Sequence, residues 1–71
     1  MSYTLSAIIE REGEWYVAMC PEFDIASQGR TVEEAKHNLH EAVQLFLETA
    51  DPSEVTLPLE RPFMTTIEVA V

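Results

Sequence analysis

Residues 31–50 predict a single amphipathic helix, and a chain with one such helix must bury its apolar side against a sheet. Thr31 and Glu34 have the spacing of a capping box: the Thr31 hydroxyl accepts a hydrogen bond from the Glu34 amide, and the Glu34 side chain reaches back to residue 31. Pro52 prevents the helix from continuing far beyond Ala50. Apolar residues recur at spacings of three and four and form one stripe: Val32, Ala35, Leu39, Ala42, Val43, Phe46 and Ala50.

Four strands are predicted around this helix, over residues 2–10, 15–20, 25–28 and 63–71. Gly13 permits a turn between the first two strands, Pro21 ends the second, and Gly29 closes the third. The proline-containing connector over residues 51–62 lets the last strand join the sheet beside the first. The order β-β-β-α-β predicts an α+β fold, a single domain over residues 1–71 in which one helix covers one face of a four-stranded sheet.

The sheet face away from the helix is expected to be partly apolar, because one helix cannot cover both faces. The residues expected to lie partly bare on it are Ile8, Tyr16 (or, in its place, Trp15), Ala18 and Met64. An exposed apolar face on so small a domain indicates self-association, and the last strand can pair with the edge of another chain. We therefore expect a homodimer or higher homo-oligomer with these four residues at its interface.

The charge of the chain limits its partners. With 13 acidic and 4 basic residues, its formal net charge is −9. Nucleic-acid binders neutralise phosphates with clustered Lys and Arg, so we expect no direct nucleic-acid contact and favour a basic protein partner. No apolar run is long enough to span a membrane, and no basic region precedes an apolar core at the N-terminus. We therefore expect a cytoplasmic protein.

Three possible catalytic features are weak, so we expect no enzyme activity, cofactor or metal. His37 and His40 have the spacing of a metal-binding pair on a helix, but His37 falls opposite the apolar stripe and Lys36 lies beside it. Cys20 has no nearby histidine in the sequence to activate it as a nucleophile. The acidic residues lie in turns and on the outer helix face, whereas a magnesium-dependent nuclease needs carboxylates that converge.

Three stretches of the sequence resemble the HicB family of antitoxins. They are residues 13–23 (GEWYVAMCPEF), 27–35 (SQGRTVEEA) and 38–42 (NLHEA), and the resemblance covers roughly residues 3–48. In the most specific stretch, Gly29 ends a strand, Thr31 and Glu34 form the cap, and Ala35 packs on the sheet. The chain departs from the family at Arg30, where Asp is usual, and at residues 23–25, where Gly usually follows the Pro-Glu turn.

The resemblance implies a partial ribonuclease H-like fold without catalytic carboxylates. It also implies a partner, a small basic mRNA-cleaving toxin of the HicA type, which the antitoxin holds inactive. The acidic residues expected to contact it are Asp24, Glu33 and Glu41. Typical members add a C-terminal DNA-binding segment, whereas this chain is similar to the short, stand-alone members, so operator binding is not carried over.

Two alternatives to the antitoxin stay open at this point. One is an orphan relative that keeps the fold and serves as a homo-oligomeric binding or scaffold protein with no toxin partner. The other is a metal-dependent nuclease, which needs a carboxylate cluster that the sequence does not display.

Overall fold

The computed structural model of the protein describes residues 3–51, 55 and 62–71. These residues form an α+β fold with a three-stranded antiparallel sheet, in the order β1-β2-β3, and one helix. The elements are β1 (Ile8–Glu12), β2 (Trp15–Cys20), β3 (Ile25–Gly29) and α1 (Val32–Thr49). The predicted α+β class is confirmed. Residue 2 of the predicted first strand, Pro52 and most of the 51–62 connector lie outside the described residues.

The hairpin between β1 and β2 is tighter than the sequence predicted. Its turn uses only residues 13–14, and Gly13 adopts a φ of +61°, which favours glycine. The strand pairing consequently extends to the pair Glu12 and Trp15. The Arg11 side chain supports the turn because its Nε donates to the Gly13 carbonyl at 3.1 Å.

At its other end, β1 begins later than the predicted residue 2. The pairing stops at Ile8 and Met19. Its continuation would place Ser6 opposite Pro21, which has no amide to donate. The Ser6 amide instead donates to the carboxylate of Glu22, at 2.9 and 3.1 Å from its two oxygens. The missing amide of Pro21 ends the ladder, and the Ser6 amide finds its acceptor in a side chain outside the ladder.

The predicted cap of α1 is present, with one change of partner. Thr31 is the N-cap residue, and its Oγ1 accepts from the Glu34 amide at 3.0 Å. The Glu34 carboxylate accepts from the amide of Arg30 at 3.2 Å, and not from residue 31 as expected. At the other end, the Ala50 amide donates to the Phe46 carbonyl at 2.8 Å. Both ends of the helix therefore satisfy backbone groups that have no partner within the helix.

The core lies between α1 and one face of the sheet. Its buried residues are Ala18, Cys20, Ala35, Leu39 and Val43. The helix packs mainly against β3 and β2 and barely reaches β1. Near its C-terminal end, Phe46 contacts Phe23 with ring centroids 5.1 Å apart. One edge of the core, beside β1, is therefore covered less than the other.

Two residues expected on the uncovered face belong to the core. Ala18 is fully buried and Tyr16 packs against the same cluster, because alternate residues of β2 share the face that carries the helix. Placing Ala18 and Tyr16 on the open face was wrong, whereas Trp15, the alternative to Tyr16, does lie on it. Ile8 lies on the open face, since its strand partner Met19 alternates with Ala18. Met64 is exposed and lies outside the sheet.

Gly29 is required where α1 approaches β3 most closely. A Cβ at this position would lie 2.5 Å from the amide nitrogen of Ala35 and 2.8 Å from the carbonyl carbon of Glu34. Both are backbone atoms of the first helical turn, which cannot rotate away as a flexible side chain can. The close approach brings the cap and Ala35 onto the sheet.

The predicted fourth strand is not part of the sheet. Residues 62–71 form neither helix nor strand, and all of them are exposed. The alternation of apolar residues over 63–71 specifies a strand but not its partner, because unpaired backbone groups pair equally well with an edge of the same sheet or of another chain. The four-stranded sheet is therefore not found in the described residues.

Candidate functional site

The open face of the sheet combines apolar side chains with carboxylates. Strand pairing and alternation place on it Ile8, Glu10, Glu12, Trp15, Val17, Met19, Ala26 and Gln28. Within the described residues, no helix or strand covers this face. Its centre is apolar and its β1 side is acidic, which is the composition of a protein-binding surface with a charged rim.

Trp15 anchors one corner of this open face. Its side chain is 37% exposed, and the Arg30 guanidinium carbon lies 4.6 Å from the ring centroid. This cation–π contact joins β2 to the residue just before the helix cap. Arg30 therefore partly neutralises the otherwise acidic edge of the face.

Glu10 and Glu12 are candidate binding residues that the sequence reasoning missed. It placed the first strand over residues 2–10, which left Glu12 in a turn. The structure extends β1 to Glu12, so both carboxylates lie on one face of one strand. The signal that could have found them is the alternation of residues 8–12, read in register with β2.

The three acidic residues proposed from the sequence do not converge. Glu33 lies in the first turn of α1, and Glu41 is exposed in the middle of the helix. Asp24 lies beside Phe23, whose ring contacts Phe46 near the other end of the helix. At a rise of about 1.5 Å per residue, the first turn and Phe46 are ~20 Å apart. The three residues therefore do not form a pocket.

The two histidines are separated by their surroundings. Nε2 of His37 lies 3.1 Å from Oε1 of Glu41, and both side chains are largely exposed. His40 instead lines a groove beside the helix, together with Lys36. In the described part of the chain, no three His, Cys, Asp or Glu side chains are grouped to hold a metal ion.

Cys20 is held in the core as a thiol. It is 1% exposed, and its Sγ donates to Oε1 of Glu22 at 3.4 Å. Burial, the hydrogen bond to Glu22 and the negative charge of that carboxylate raise the pKa of Cys20. Because the thiolate is the nucleophilic form, this environment disfavours nucleophilic chemistry at Cys20.

Glu22 is a carboxylate with several internal hydrogen bonds. Burial raises its pKa, but hydrogen bonds from its own backbone amide, from Ser6 and from the Cys20 thiol outweigh that effect, and the net pKa is lowered. These hydrogen bonds therefore favour the ionised carboxylate of Glu22, which connects Ser6, before β1, to Cys20 at the end of β2.

An apolar groove lies beside β1, where the helix covers the sheet least. It has a volume of about 530 Å³ and is lined by Leu5 and Ala7 on one side and by Leu39, Val43 and Leu47 of α1 on the other. The lining is mainly apolar, and its polar members include Lys36, His40 and Glu48 at the helix side. The groove therefore suits the side chains of an added peptide segment better than a polar substrate.

Both surfaces, the open face and the groove, are suited to binding other polypeptides. No helix in the described part of the chain combines the length and the apolar character needed to cross a bilayer.

No model of a protein family, no curated protein and no solved structure matches this chain.

Proposed function

We propose that this chain is a non-catalytic HicB-like antitoxin, which binds and neutralises a small basic mRNA-cleaving toxin of the HicA type. The observation that carries the proposal is the open face, with its apolar centre and with Glu10 and Glu12 on β1. A net charge of −9 supports a basic partner, because complementary potentials speed encounter and disfavour other partners.

Binding at the open face would inhibit the toxin by covering the surface with which the toxin binds RNA. A toxin that cleaves mRNA must present basic residues to phosphate groups. Carboxylates held on a strand can pair with those basic residues. Trp15 and Val17 supply apolar contacts, which provide most of the binding free energy at an interface. The antitoxin thus needs no active site of its own.

The sequence also indicated a contact through the acidic residues Asp24, Glu33 and Glu41. These residues are exposed, and we keep them as the alternative toxin contact. We favour the open face as the toxin-binding surface because it presents apolar side chains as well as carboxylates. On the helix side, one of the carboxylates already contacts His37.

Charge reversal on matched pairs tests the two surfaces separately. The double variants Glu10→Lys/Glu12→Lys and Glu33→Lys/Glu41→Lys change the net charge equally, so nonspecific electrostatics affects both alike. A tagged chain is used to isolate its partner from its own cell lysate, and the partner must be a small basic protein whose RNA cleavage stops when the chain is added. We expect the first pair to weaken binding about tenfold or more, which is ~1.4 kcal/mol, and the second pair to have little effect.

Each other outcome has a definite meaning. A loss confined to the second pair would move the contact to the helix side. No loss with either pair would refute an acidic contact surface. Failure to recover any RNA-cleaving partner from cells that express one would refute the antitoxin function.

The proposal also includes a partial ribonuclease H-like fold and a cytoplasmic location. A HicB-like chain would have a four-stranded, partial ribonuclease H-like sheet that lacks catalytic carboxylates, and it would act in the cytoplasm, where its toxin cleaves mRNA. The three strands and one helix described here agree with the first four elements of the expected β-β-β-α-β order. The fourth strand requires residues 63–71 to join a sheet.

A second candidate function is that of a homo-oligomeric binding or scaffold protein without a toxin. The observation that favours it is the exposed segment 62–71, in which Phe63 is 100% and Ile67 85% exposed. Apolar residues so exposed indicate an interface with another polypeptide. Mass measurement by light scattering in the absence of any partner tests it, since a monomer at micromolar concentration would exclude it.

A further inference from the structure

We propose that residues 63–71 of one copy pair with the outer edge of β1 of a second copy, and that two copies exchange these segments reciprocally. This inference specifies the self-association described above and does not depend on a toxin partner. We call residues 63–71 the C-terminal segment.

The C-terminal segment has the sequence of a strand that is meant to be buried on one side. Its alternate residues Phe63, Thr65, Ile67, Val69 and Val71 share one face. It is rich in β-branched residues and contains no proline, so every amide can donate to a ladder. Yet Phe63, Ile67 and Val69 are 100%, 85% and 70% exposed. A segment of this kind needs a partner.

The C-terminal segment is covered little by the rest of its own chain. All of residues 62–71 are exposed, including Met64 at 76% on the face opposite to Ile67. Its apolar face is therefore open to contact with another copy.

The edge of β1 is the better of the two sheet edges to receive the C-terminal segment. In the described residues, no strand pairs with the outer side of β1. The outer side of β3 is closer to the helix, and its Gln28 carbonyl already accepts from Nδ2 of Asn38 at 2.8 Å. An added strand at β3 would have to displace this contact.

The groove beside β1 offers the apolar space that such a strand needs. It holds about 530 Å³ between Leu5 and the helix residues Leu39 and Val43. In strand addition, backbone hydrogen bonds provide affinity and alternate side chains enter pockets. The face that carries Ile67 and Val69 would fill this groove, while the opposite face, with Thr66 and Glu68, would continue the open face.

The start of the C-terminal segment makes a reciprocal exchange geometrically simple. Pro62, Phe63 and Met64 line a small cavity together with residues 5–8, so each segment departs beside the β1 edge of its own copy. A two-fold axis near that point would lead each segment along the equivalent edge of the other copy. Both edges would then be covered at once, and the exposed apolar area of both segments would be removed from water.

Mass and isotope-filtered NMR on the full chain test the proposal together. We expect a mass of twice the 8.0 kDa of one chain. In a mixed sample of labelled and unlabelled chains, we expect intermolecular contacts between the methyl groups of Ile67 or Val69 and those of Leu39 or Val43. The double variant Ile67→Asp/Val69→Asp should be monomeric. Its matched control, Thr66→Asp/Ala70→Asp, adds the same charge to the opposite face and should stay dimeric.

The other results separate this proposal from self-association in general. A monomeric native chain would refute both. A dimer whose methyl contacts are intramolecular would show that the segment pairs with its own sheet and would refute the exchange. A dimer that survives Ile67→Asp/Val69→Asp and shows contacts between Trp15 of the two copies would place the interface on the open face instead.

Discussion

Replacing Gly29 by alanine should destabilise the protein strongly, although alanine differs from glycine by one methyl group. Gly29 has no positive φ, so its backbone conformation is open to any residue. The cost comes from space, because the new Cβ would lie 2.5 Å from the Ala35 nitrogen and 2.9 Å from the Glu34 Cβ, where ordinary contact begins at 3.4 Å. The first turn of α1 would have to move away from β3.

The size of the effect follows from what that movement disturbs. Overpacking of this kind costs about 1–3 kcal/mol. Displacing the first turn also weakens the Thr31 cap, which is worth about 1 kcal/mol. Lower entropy of the unfolded chain offsets about 0.4–1 kcal/mol. We expect a net loss of roughly 2–3 kcal/mol, which is a large part of the ~4–10 kcal/mol available to a chain of this size.

Urea denaturation followed by Trp15 fluorescence and by far-UV circular dichroism measures this loss at one protein concentration. With a slope of about 1 kcal/mol per molar urea, the midpoint should fall by ~2 M. Gly13 is the matched control, because nothing lies within 4 Å of its missing Cβ and only its φ of +61° is special. Gly13→Asn should therefore be nearly neutral, whereas Gly29→Asn should be worse than Gly29→Ala. If Gly29→Ala unfolds within 0.5 M of the native chain, β3 and α1 are not as close as described.

Three further predictions concern the core, the cap and the carboxylate of Glu22. Leu39→Ala should cost about 2–5 kcal/mol in urea denaturation because Leu39 is 4% exposed, while Leu45→Ala, at a position 61% exposed, should cost little. Thr31→Ala should cost about 1 kcal/mol and lower the helical signal, and Thr31→Ser should restore most of it; equal stability of all three would contradict the cap. Because the pKa of Glu22 is lowered in the folded chain, the stability it provides is complete above its ordinary pKa of 4.5 and is lost as the pH falls through the lower folded value. Melting temperatures between pH 7 and pH 3 should therefore fall less steeply for Glu22→Gln than for the native chain, and parallel curves would contradict the role of this carboxylate.

The helix could be predicted from the sequence because its signals are local. The cap at Thr31, the apolar stripe and the acidic first turn all act within a few residues of each other, and α1 runs from Val32 to Thr49 as a result. The partner of the Glu34 side chain was missed by one residue. That difference depends on how the chain enters the helix from β3, which is a tertiary property.

The covered face of β2 could not be predicted from alternation alone. Residues 15–20 are apolar on both faces, so the pattern with a period of two does not distinguish them. The small residues Ala18 and Cys20 lie in the core with Ala35, which approaches the sheet at Gly29. Which face the helix covers therefore depends on tertiary packing and not on the pattern within β2.

The open face and the C-terminal segment show a different kind of limit. Glu10 and Glu12 share a face only because the hairpin turn is confined to residues 13–14, and a one-residue change in register would separate them from their present neighbours. For residues 63–71, alternation predicts a strand, but its pairing depends on which edges are free after the rest has folded. The shared face of Glu10 and Glu12 and the pairing partner of residues 63–71 thus both depend on other parts of the fold.

The buried thiol of Cys20 provides a built-in reporter of opening. A reagent that alkylates thiols can reach Sγ only when the core opens around it, since Cys20 is 1% exposed in the folded chain. When reclosing is fast compared with alkylation, the labelling rate is proportional to the population of the open form, and its dependence on urea separates partial from global opening. The single cysteine of this chain thus lets the opening of the core be measured in the native sequence, without any substitution.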